Sequence, residues 1–372
     1  MIYRAIGLMS GSSLDGLDIV FAEFQANGSK WDYEIIEADC YPYPEKWMQN
    51  LSAATSLSAL DYQLLHTRYG HYLGEQVNQF MDEKNLHYKV ALISSHGHTT
   101  FHIPSKQMTA QLGDGAAIAA ETKLPVITDL RAMDIAFGGQ GAPIVPVGEK
   151  LLLGDYDYFL NLGGIANISA NKKEEPATFI AFDICPANRV LNMLAADAGK
   201  TFDAGGALAR SGIIHEDLLN ELNALDYYKL PHPKSLSNDF GTDVIYPLIK
   251  NYGYALPEAM CTYVEHIVMQ VTAAIKSIER SGKDNIANGK QRLLATGGGA
   301  FNTFLMERIS AKLAAIDVEV IVPDEKLINY KEALIMALMG VLRWRQEYNV
   351  LSSVTGAKRD SIGGALWIGQ EA

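Results

Sequence analysis

The chain has 372 residues, 48% hydrophobic and 20% charged, enough to build two ordinary cores without disulfides or metals. Its 31 basic and 43 acidic residues leave a net charge of -12, which excludes a typical nucleic-acid surface, because phosphate backbones are met mainly by Lys and Arg. Cys40, Cys185 and Cys261 lie far apart with no metal-ligand spacing, and no stretch reaches the roughly 18 apolar residues of a membrane span.

The segment Met1 to Gly7 lacks the apolar run and cleavage site of a secretory leader and reads as the start of a first strand, about Tyr3 to Met9. With three widely spaced thiols, read as single buried groups, this points to a reducing cytoplasm. A Ser/Gly turn follows, then a strand from about Leu17 to Phe24. The two are too close for a parallel crossover and pair as a hairpin. Helical periodicity covers Ala59 to Asn85, with Leu64, Leu65, Tyr69, Leu73, Val77 and Phe80 on the expected buried face. Val90 to Ser95 reads as a strand, Leu112 to Glu121 as a short helix and Leu124 to Thr128 as a strand. The glycine- and proline-rich Phe137 to Pro143 marks the expected crossing into a second domain.

Beyond it, Tyr158 to Leu162 and Ala166 to Ser169 flank a Gly-Gly turn and predict a second hairpin. A strand from Ile180 to Asp183, a helix from Pro186 to Ala198 and a long helix from Ala259 to Ile278 come next. A strand from Leu293 to Thr296 and helices over Asn302 to Leu313 and Lys331 to Glu347 complete the pattern. The alternation of strand and helix predicts an α/β protein. Expected domains are about 1–135 with about 350–372, and about 136–349.

Three glycine-rich turns follow apolar strands: Gly7-Leu8-Met9-Ser10-Gly11-Ser12-Ser13-Leu14-Asp15-Gly16-Leu17-Asp18, Asn161-Leu162-Gly163-Gly164-Ile165-Ala166-Asn167, and Ala295-Thr296-Gly297-Gly298-Gly299-Ala300-Phe301-Asn302. Glycine admits a phosphate or ribose close to the backbone. Asp15 and Asp18 could hold Mg²⁺ directly or through water. Singly, each turn is as well explained by a plain hairpin or by packing. Neither the P-loop nor the dinucleotide fingerprint is present. Two hairpins in two α/β halves and a late Gly-Gly-Gly before a helix match the actin, hexokinase and sugar-kinase arrangement.

The likeness extends to Ser95-His96-Gly97-His98-Thr99, Gln111-Leu112-Gly113-Asp114-Gly115, Thr128-Asp129-Leu130-Arg131, Asp134-Ile135-Ala136, Gly138-Gly139-Gln140-Gly141-Ala142-Pro143 and Ser353-Val354-Thr355-Gly356-Ala357. Together with the glycine turns, these motifs resemble the anhydro-N-acetylmuramic acid kinase family over nearly the whole chain. The resemblance implies a two-domain actin-like ATPase fold, with ribonuclease H-like halves and an interdomain cleft that closes on its ligands. It implies an ATP-dependent phosphotransferase with Mg²⁺ that opens the 1,6-anhydro ring with water and phosphorylates O6, in peptidoglycan recycling. Gly11, Ser12, Ser13, Leu14, Asp15, Gly16, Leu17, Asp18, Gly163, Gly164, Gly297, Gly298 and Gly299 would hold the nucleotide. Asp183 would be the general base, and Arg131, His98, Thr99 and Glu332 would contact the sugar. A cytoplasmic homodimer acting on a small sugar, with no nucleic-acid or membrane partner, completes the implication.

On the residues alone, Asp183 reads equally as an acid at a helix N-terminus, Arg131 as a partner of Asp129 or Asp134, and Glu332 as a first-turn helix acid. His96, His98 and His102 invite a zinc reading, but a hydrogen-bonded histidine at a strand end explains them better. The chain departs from the family pattern at Asp183-Ile184-Cys185-Pro186-Ala187-Asn188, at Pro233-Lys234-Ser235-Leu236-Ser237-Asn238-Asp239, at Ser12 and at His98. These departures keep open a kinase of a different amino sugar and a nucleotide-binding regulator without turnover.

Overall fold

The structure is a computed structural model describing residues 1–11, 14–28, 30–172, 178–232, 234–237, 239–280 and 290–369. Ser12, Ser13, Pro233 and Asn238 from the motifs above lie outside the described residues. The chain forms two compact units, Met1–Gly154 with Tyr330–Ala372, and Asp155–Asn329.

In the first unit the strands are β1 (Ile2–Ser10), β2 (Gly16–Asn27), β3 (Lys30–Pro42), β4 (Leu92–Ile103), β5 (Met108–Leu112) and β6 (Val126–Thr128). β1, β2 and β3 form an antiparallel meander. On the other side of β1, β4 and then β6 run parallel to it. The strand Ala365–Trp367 closes that edge, and β5 pairs with β4. The parallel return from β3 to β4 needs a long connection, which the helix Ala59–Glu83 supplies. Ser58 caps this helix by accepting from the Asp61 amide at 3.2 Å. Leu65, Tyr69, Leu73, Val77 and Phe80 are buried, each contributing roughly 2 kcal/mol by leaving water. Leu64, expected on that face, is 50% exposed, because one residue of offset turns a helical side chain by about 100°.

The second unit repeats the topology with β7 (Tyr158–Leu162), β8 (Ile165–Lys172), β9 (Thr178–Pro186), β10 (Gln291–Thr296) and β11 (Val318–Ile321). Its order is β11-β10-β7-β8-β9, again an antiparallel meander with two strands parallel to its first member. The helix Leu256–Arg280 precedes β10 and packs its apolar residues, from Met260 to Ile275, into this unit's core. Two halves of the same order form the duplicated ribonuclease H-like arrangement that the sequence resemblance implied.

The units change at Gly154/Asp155 and Asn329/Tyr330, not near 136 and 350. The reason is local packing. The short helix Pro146–Leu152 is fastened to the helix Glu325–Trp344 by a buried Lys331–Glu149 ion pair at 2.8 Å. Beside it, a Cβ on Gly148 would lie 2.4 Å from Ile335, so the two backbones approach closely.

Candidate active site

The first unit gathers its polar residues around β2 and β4. The turn after β1 closes with Leu14 at φ 58° and Asp15 accepting from the Gly16 amide at 3.1 Å. Gly16 is required there, since a Cβ would sit 2.6 Å from Cys40 Sγ and 2.8 Å from the Tyr41 carbonyl. Asp18 stands opposite Cys40 in the β2–β3 register. Burial pushes the Asp18 carboxyl up to about 6; the Cys40 thiol on the neighbouring strand opposes the shift, while Asp15 and Glu332 add to it. The Cys40 thiol is in turn pushed up to about 12 by burial and by Asp18.

Glu332 reaches this group because its helix lies hard against β1. A Cβ on Gly7 would lie 1.9 Å from the Ala333 carbonyl oxygen, so only glycine allows the approach. Glu332 is the eighth residue of the helix Glu325–Trp344, not a first-turn acid. Asp324 provides the earlier cap, its carboxylate accepting from the Leu327 amide at 2.8 Å.

Arg131 is held on two sides. Its Nε donates to His96 Nε2 at 2.9 Å and its Nη1 donates to the Gly141 carbonyl. Burial brings the guanidinium down to about 10, while Glu332 and Asp134 sustain its charge, so it stays protonated at neutral pH. His96 is buried, donates from Nδ1 to the Gly97 carbonyl at 2.9 Å, and is driven down to about 3 by burial and by Arg131. Asp134 fixes the loop beneath Arg131, accepting from the Gly141 amide and the Thr355 hydroxyl, both at 2.7 Å. The Gly138–Gly141 and Thr355 motifs thus form one brace for Arg131. No ion pair joins Arg131 to Asp129 or Asp134 among the described residues; histidine and a backbone carbonyl take that place.

His98 is buried, with Nδ1 3.1 Å from Ser10 Oγ. Tyr43 donates to the same Ser10 oxygen at 2.8 Å and lies 2.6 Å from the Tyr69 hydroxyl. Thr99 stands apart, exposed, its hydroxyl accepting from Gln111 at 3.4 Å. Successive strand residues point to opposite faces, which separates it from His98. Among the described residues no three His, Cys, Asp or Glu side chains could together hold a metal ion.

The second unit brings its two glycine turns together. The Gly163 carbonyl accepts from the Asn188 amide at 3.0 Å and the Gly164 carbonyl from the Ala187 amide at 2.8 Å. Asn188 Nδ2 donates to the Leu162 carbonyl at 2.8 Å. Gly297, at φ 80°, leaves 2.5 Å between a built Cβ and Asn161 Oδ1, and Gly299 leaves 2.6 Å to Leu162 Cβ. At Gly163, Gly164 and Gly298 a Cβ would meet nothing nearer than 3.4, 3.8 and 3.8 Å. Gly297 and Gly299 answer to packing; at the other three a Cβ would make only ordinary van der Waals contacts, so packing does not require glycine there. Thr296 Oγ1 and Arg189 Nε are buried without a hydrogen-bond partner among the described residues.

Asp183 lies within β9, opposite Asn167, three positions before the strand ends at Pro186. It is therefore not an acid at a helix start, and Pro186 is not in a first helical turn; the helix is Asn188–Ala196. Oδ2 of Asp183 accepts from the Leu236 amide at 2.9 Å. Burial raises the carboxyl above its ordinary range and the Leu236 N–H works against that rise. Tyr43 and Tyr69 carry no functional signal in the sequence; His96 enters there only through the zinc reading that a hydrogen-bonded histidine explains better, and Leu236 only as part of a motif that departs from the family pattern.

A sequence profile described as anhydro-N-acetylmuramic acid kinase matches residues 3–369. A protein of that name from Francisella tularensis subsp. novicida is 34% identical, covering 97% of this chain and 97% of its own length. One from Aliivibrio fischeri is 35% identical over 83% of this chain and 84% of its own. A solved structure, the activator of the 2-hydroxyisocaproyl-CoA dehydratase from Clostridium difficile with bound ADPNP, is similar over 92% of this chain and 97% of its own, at 13% identity and a TM-score of 0.41. No helix among the described residues is long and apolar enough to cross a membrane. On the near full-length match and the relatives above 30% identity, the chain belongs to the anhydro-N-acetylmuramic acid kinase family.

Proposed function

We propose that this protein uses ATP and water to convert 1,6-anhydro-N-acetylmuramic acid to N-acetylmuramic acid 6-phosphate in cell-wall recycling. The observation that carries this reading is Asp183, a half-buried carboxylate with Oδ2 bound to a backbone amide and Oδ1 free of hydrogen bonds among the described residues. Burial raises its basicity, as suits a group that must take a proton at neutral pH.

In the reaction one O–H bond of water breaks and its proton passes to Asp183. The water oxygen bonds to C1 while the C1–O6 bond breaks, its electron pair remaining on O6. O6 then bonds to the γ-phosphorus as the bond to the β-phosphate oxygen breaks and ADP leaves. Arg131, with Nη2 making no hydrogen bond among the described residues, would bind the lactyl carboxylate; Glu332 and His98 would contact the sugar hydroxyls and acetamido group.

The residues fit a nucleotide. Packing does not require glycine at Gly163, Gly164 and Gly298, which suits turns that would meet phosphate and ribose through the backbone, and the Thr296 hydroxyl and Arg189 Nε, without hydrogen-bond partners among the described residues, are donors in the same unit. Asp15 and Asp18 offer the hard oxygen ligands Mg²⁺ takes, and two carboxylates with several waters suffice for it. When bound, the ion neutralises charge on the transferring phosphate. Three unpaired cysteines support a reducing cytoplasm, and assembly as a homodimer is carried over from the family resemblance.

A coupled ADP-release assay over a panel of anhydro and ordinary amino sugars tests this reading. Turnover is expected with anhydro-N-acetylmuramic acid and water-derived oxygen on C1. Turnover with another sugar alone would replace the substrate, a second reading that the departures at Ile184-Cys185 and Leu236-Ser237 keep in play. ATP binding with no turnover on any sugar would favour a regulator.

A further inference from the structure

Asp183 is gripped at three of its own atoms by one segment some fifty residues downstream. The Tyr227 hydroxyl donates to the Asp183 carbonyl at 2.7 Å, the Asp183 amide donates to the Lys234 carbonyl at 3.0 Å, and the Leu236 amide donates to Oδ2 at 2.9 Å. The segment is tied to itself. Lys234 Nζ lies 4.5 Å from the centre of the Tyr227 ring and 6.0 Å from that of Tyr228, and donates to the Tyr227 carbonyl at 3.2 Å. Phe240 packs on Tyr227 with ring centres 5.6 Å apart.

The grip is anchored in the core. His266 is fully buried; its Nδ1 lies 2.8 Å from Asn223 Oδ1, which can only accept, and its Nε2 lies 3.0 Å from the Tyr228 hydroxyl. Nδ1 therefore carries the proton and Nε2 accepts from Tyr228. Gln270 donates to the same Asn223 oxygen at 2.8 Å. Every ring nitrogen is satisfied, and a fully satisfied buried network holds one arrangement rather than several. Burial and the Asp183 charge keep the Tyr227 hydroxyl protonated, so it remains a donor.

We propose that Tyr227 and Lys234 are positioning residues that fix Asp183 so that Oδ2 is spent on the Leu236 amide and Oδ1 is the oxygen that receives the proton. This rests on the reading of Asp183 as the base. Neither side chain touches the reacting atoms: Tyr227 holds the main chain of Asp183, and Lys234 stacks on Tyr227 and lends its carbonyl. A misplacement of the base by a fraction of an ångström lowers the chemical step while leaving substrate affinity in place.

The test uses the full chain with steady-state kinetics and amide hydrogen exchange. Tyr227→Phe keeps the ring under Lys234 and loses only the hydroxyl, so it is the first variant. Its kcat is expected to fall about ten-fold, with KM for sugar and for ATP within about two-fold. Lys234→Met is expected to match it, and Lys234→Arg, which keeps a cation over the ring, to recover most of the loss. In Asp183→Ala the Leu236 amide is expected to exchange at least about ten-fold faster. A kcat within two-fold of wild type in both Tyr227→Phe and Lys234→Met, a loss confined to KM, or unchanged Leu236 exchange in Asp183→Ala would overturn the proposal. Asp183→Asn separates the two ideas: if it retains turnover, the base assignment fails and takes this proposal with it. If it is inactive while Tyr227→Phe and Lys234→Met both keep kcat within two-fold of wild type, only the positioning claim falls.

Discussion

The Nε–H of Arg131 is donated to Nε2 of His96 across 2.9 Å, and that nitrogen can accept only while the imidazole is neutral. Because Nδ1 donates to the Gly97 carbonyl, the tautomer is fixed, and burial beside a guanidinium keeps a second proton away. The histidine orients the arginine without competing for its charge, which stays available to an anionic group.

His96→Phe would leave the Arg131 Nε–H buried without its acceptor, at a cost of about 1–3 kcal/mol in stability. If Arg131 binds the sugar's carboxylate, KM for the sugar should rise about ten-fold while KM for ATP stays within about two-fold. His96→Gln, which can present a carbonyl oxygen, should recover part of the loss. Equal changes in both KM values would show that His96 serves the fold at large rather than Arg131.

Acid should destabilise the protein early. His96 and His266 are both lowered from 6.5 to about 3 by burial. As the pH falls below 6.5 the unfolded chain takes up protons at these rings and the folded chain does not. Their stabilisation is complete above that value and is lost progressively towards 3, each ring accounting for roughly 2 kcal/mol between about pH 7.5 and about pH 5. Asp18 acts in the reverse sense, its folded carboxyl taking up a proton at about 6 rather than 3.8, which offsets roughly 1 kcal/mol. Urea unfolding at the two pH values should show a net drop of about 2–3 kcal/mol, and His266→Gln should shrink it by about 2 kcal/mol. An unchanged drop in that variant would mean the ring is not held neutral.

The Asp18–Cys40 pair gives a second titration. The thiol lowers the Asp18 carboxyl against burial, so Cys40→Ala should move the acid limb of activity near pH 6 to higher pH, provided ionised Asp18 is needed for the metal nucleotide. Cys40 itself, pushed up to about 12, should alkylate slowly in the native state despite partial exposure. Rapid iodoacetamide labelling of the folded protein, or an unmoved acid limb, would contradict this account.

How much of this was legible in the sequence depended on which atoms do the holding. The two hairpins could be read because the strands beside Gly11–Asp15 and Gly163–Gly164 are too close for any other pairing. β3 leaves no strand signature in the sequence because Lys30 to Pro42 is mostly half-buried and shows no clean alternation. The helix of Glu332 begins at Glu325, six residues before its apolar periodicity suggests, because the charged Glu325-Lys326 after the Asp324 cap hides the start of the apolar face. The partners of Asp183 left no spacing signal, since Lys234 and Leu236 hold it through backbone atoms that residue type does not encode. Similarly, nothing in Gly7 announces that it sets the position of Glu332, which only the approach of the helix to β1 reveals.

The glycines divide into those the fold requires and those it does not, which makes the nucleotide assignment testable by one substitution type. Gly7→Ala would place a methyl group 1.9 Å from the Ala333 carbonyl oxygen, and Gly297→Ala would combine a 2.5 Å clash with φ 80°. Both should cost about 2–4 kcal/mol or prevent folding, whatever the ligand. Gly163→Ala and Gly298→Ala meet only ordinary contacts, at 3.4 and 3.8 Å, so their unfolding midpoints should stay within about 0.5 kcal/mol of wild type. If these turns admit phosphate and ribose against bare backbone, the same two variants should weaken ATP binding about ten-fold or more, measured by calorimetry without sugar. A stable Gly163→Ala protein that binds ATP as tightly as wild type would remove the second turn from the nucleotide site, leaving the packing of Gly297 and Gly299 against Asn161 and Leu162 as a purely structural arrangement.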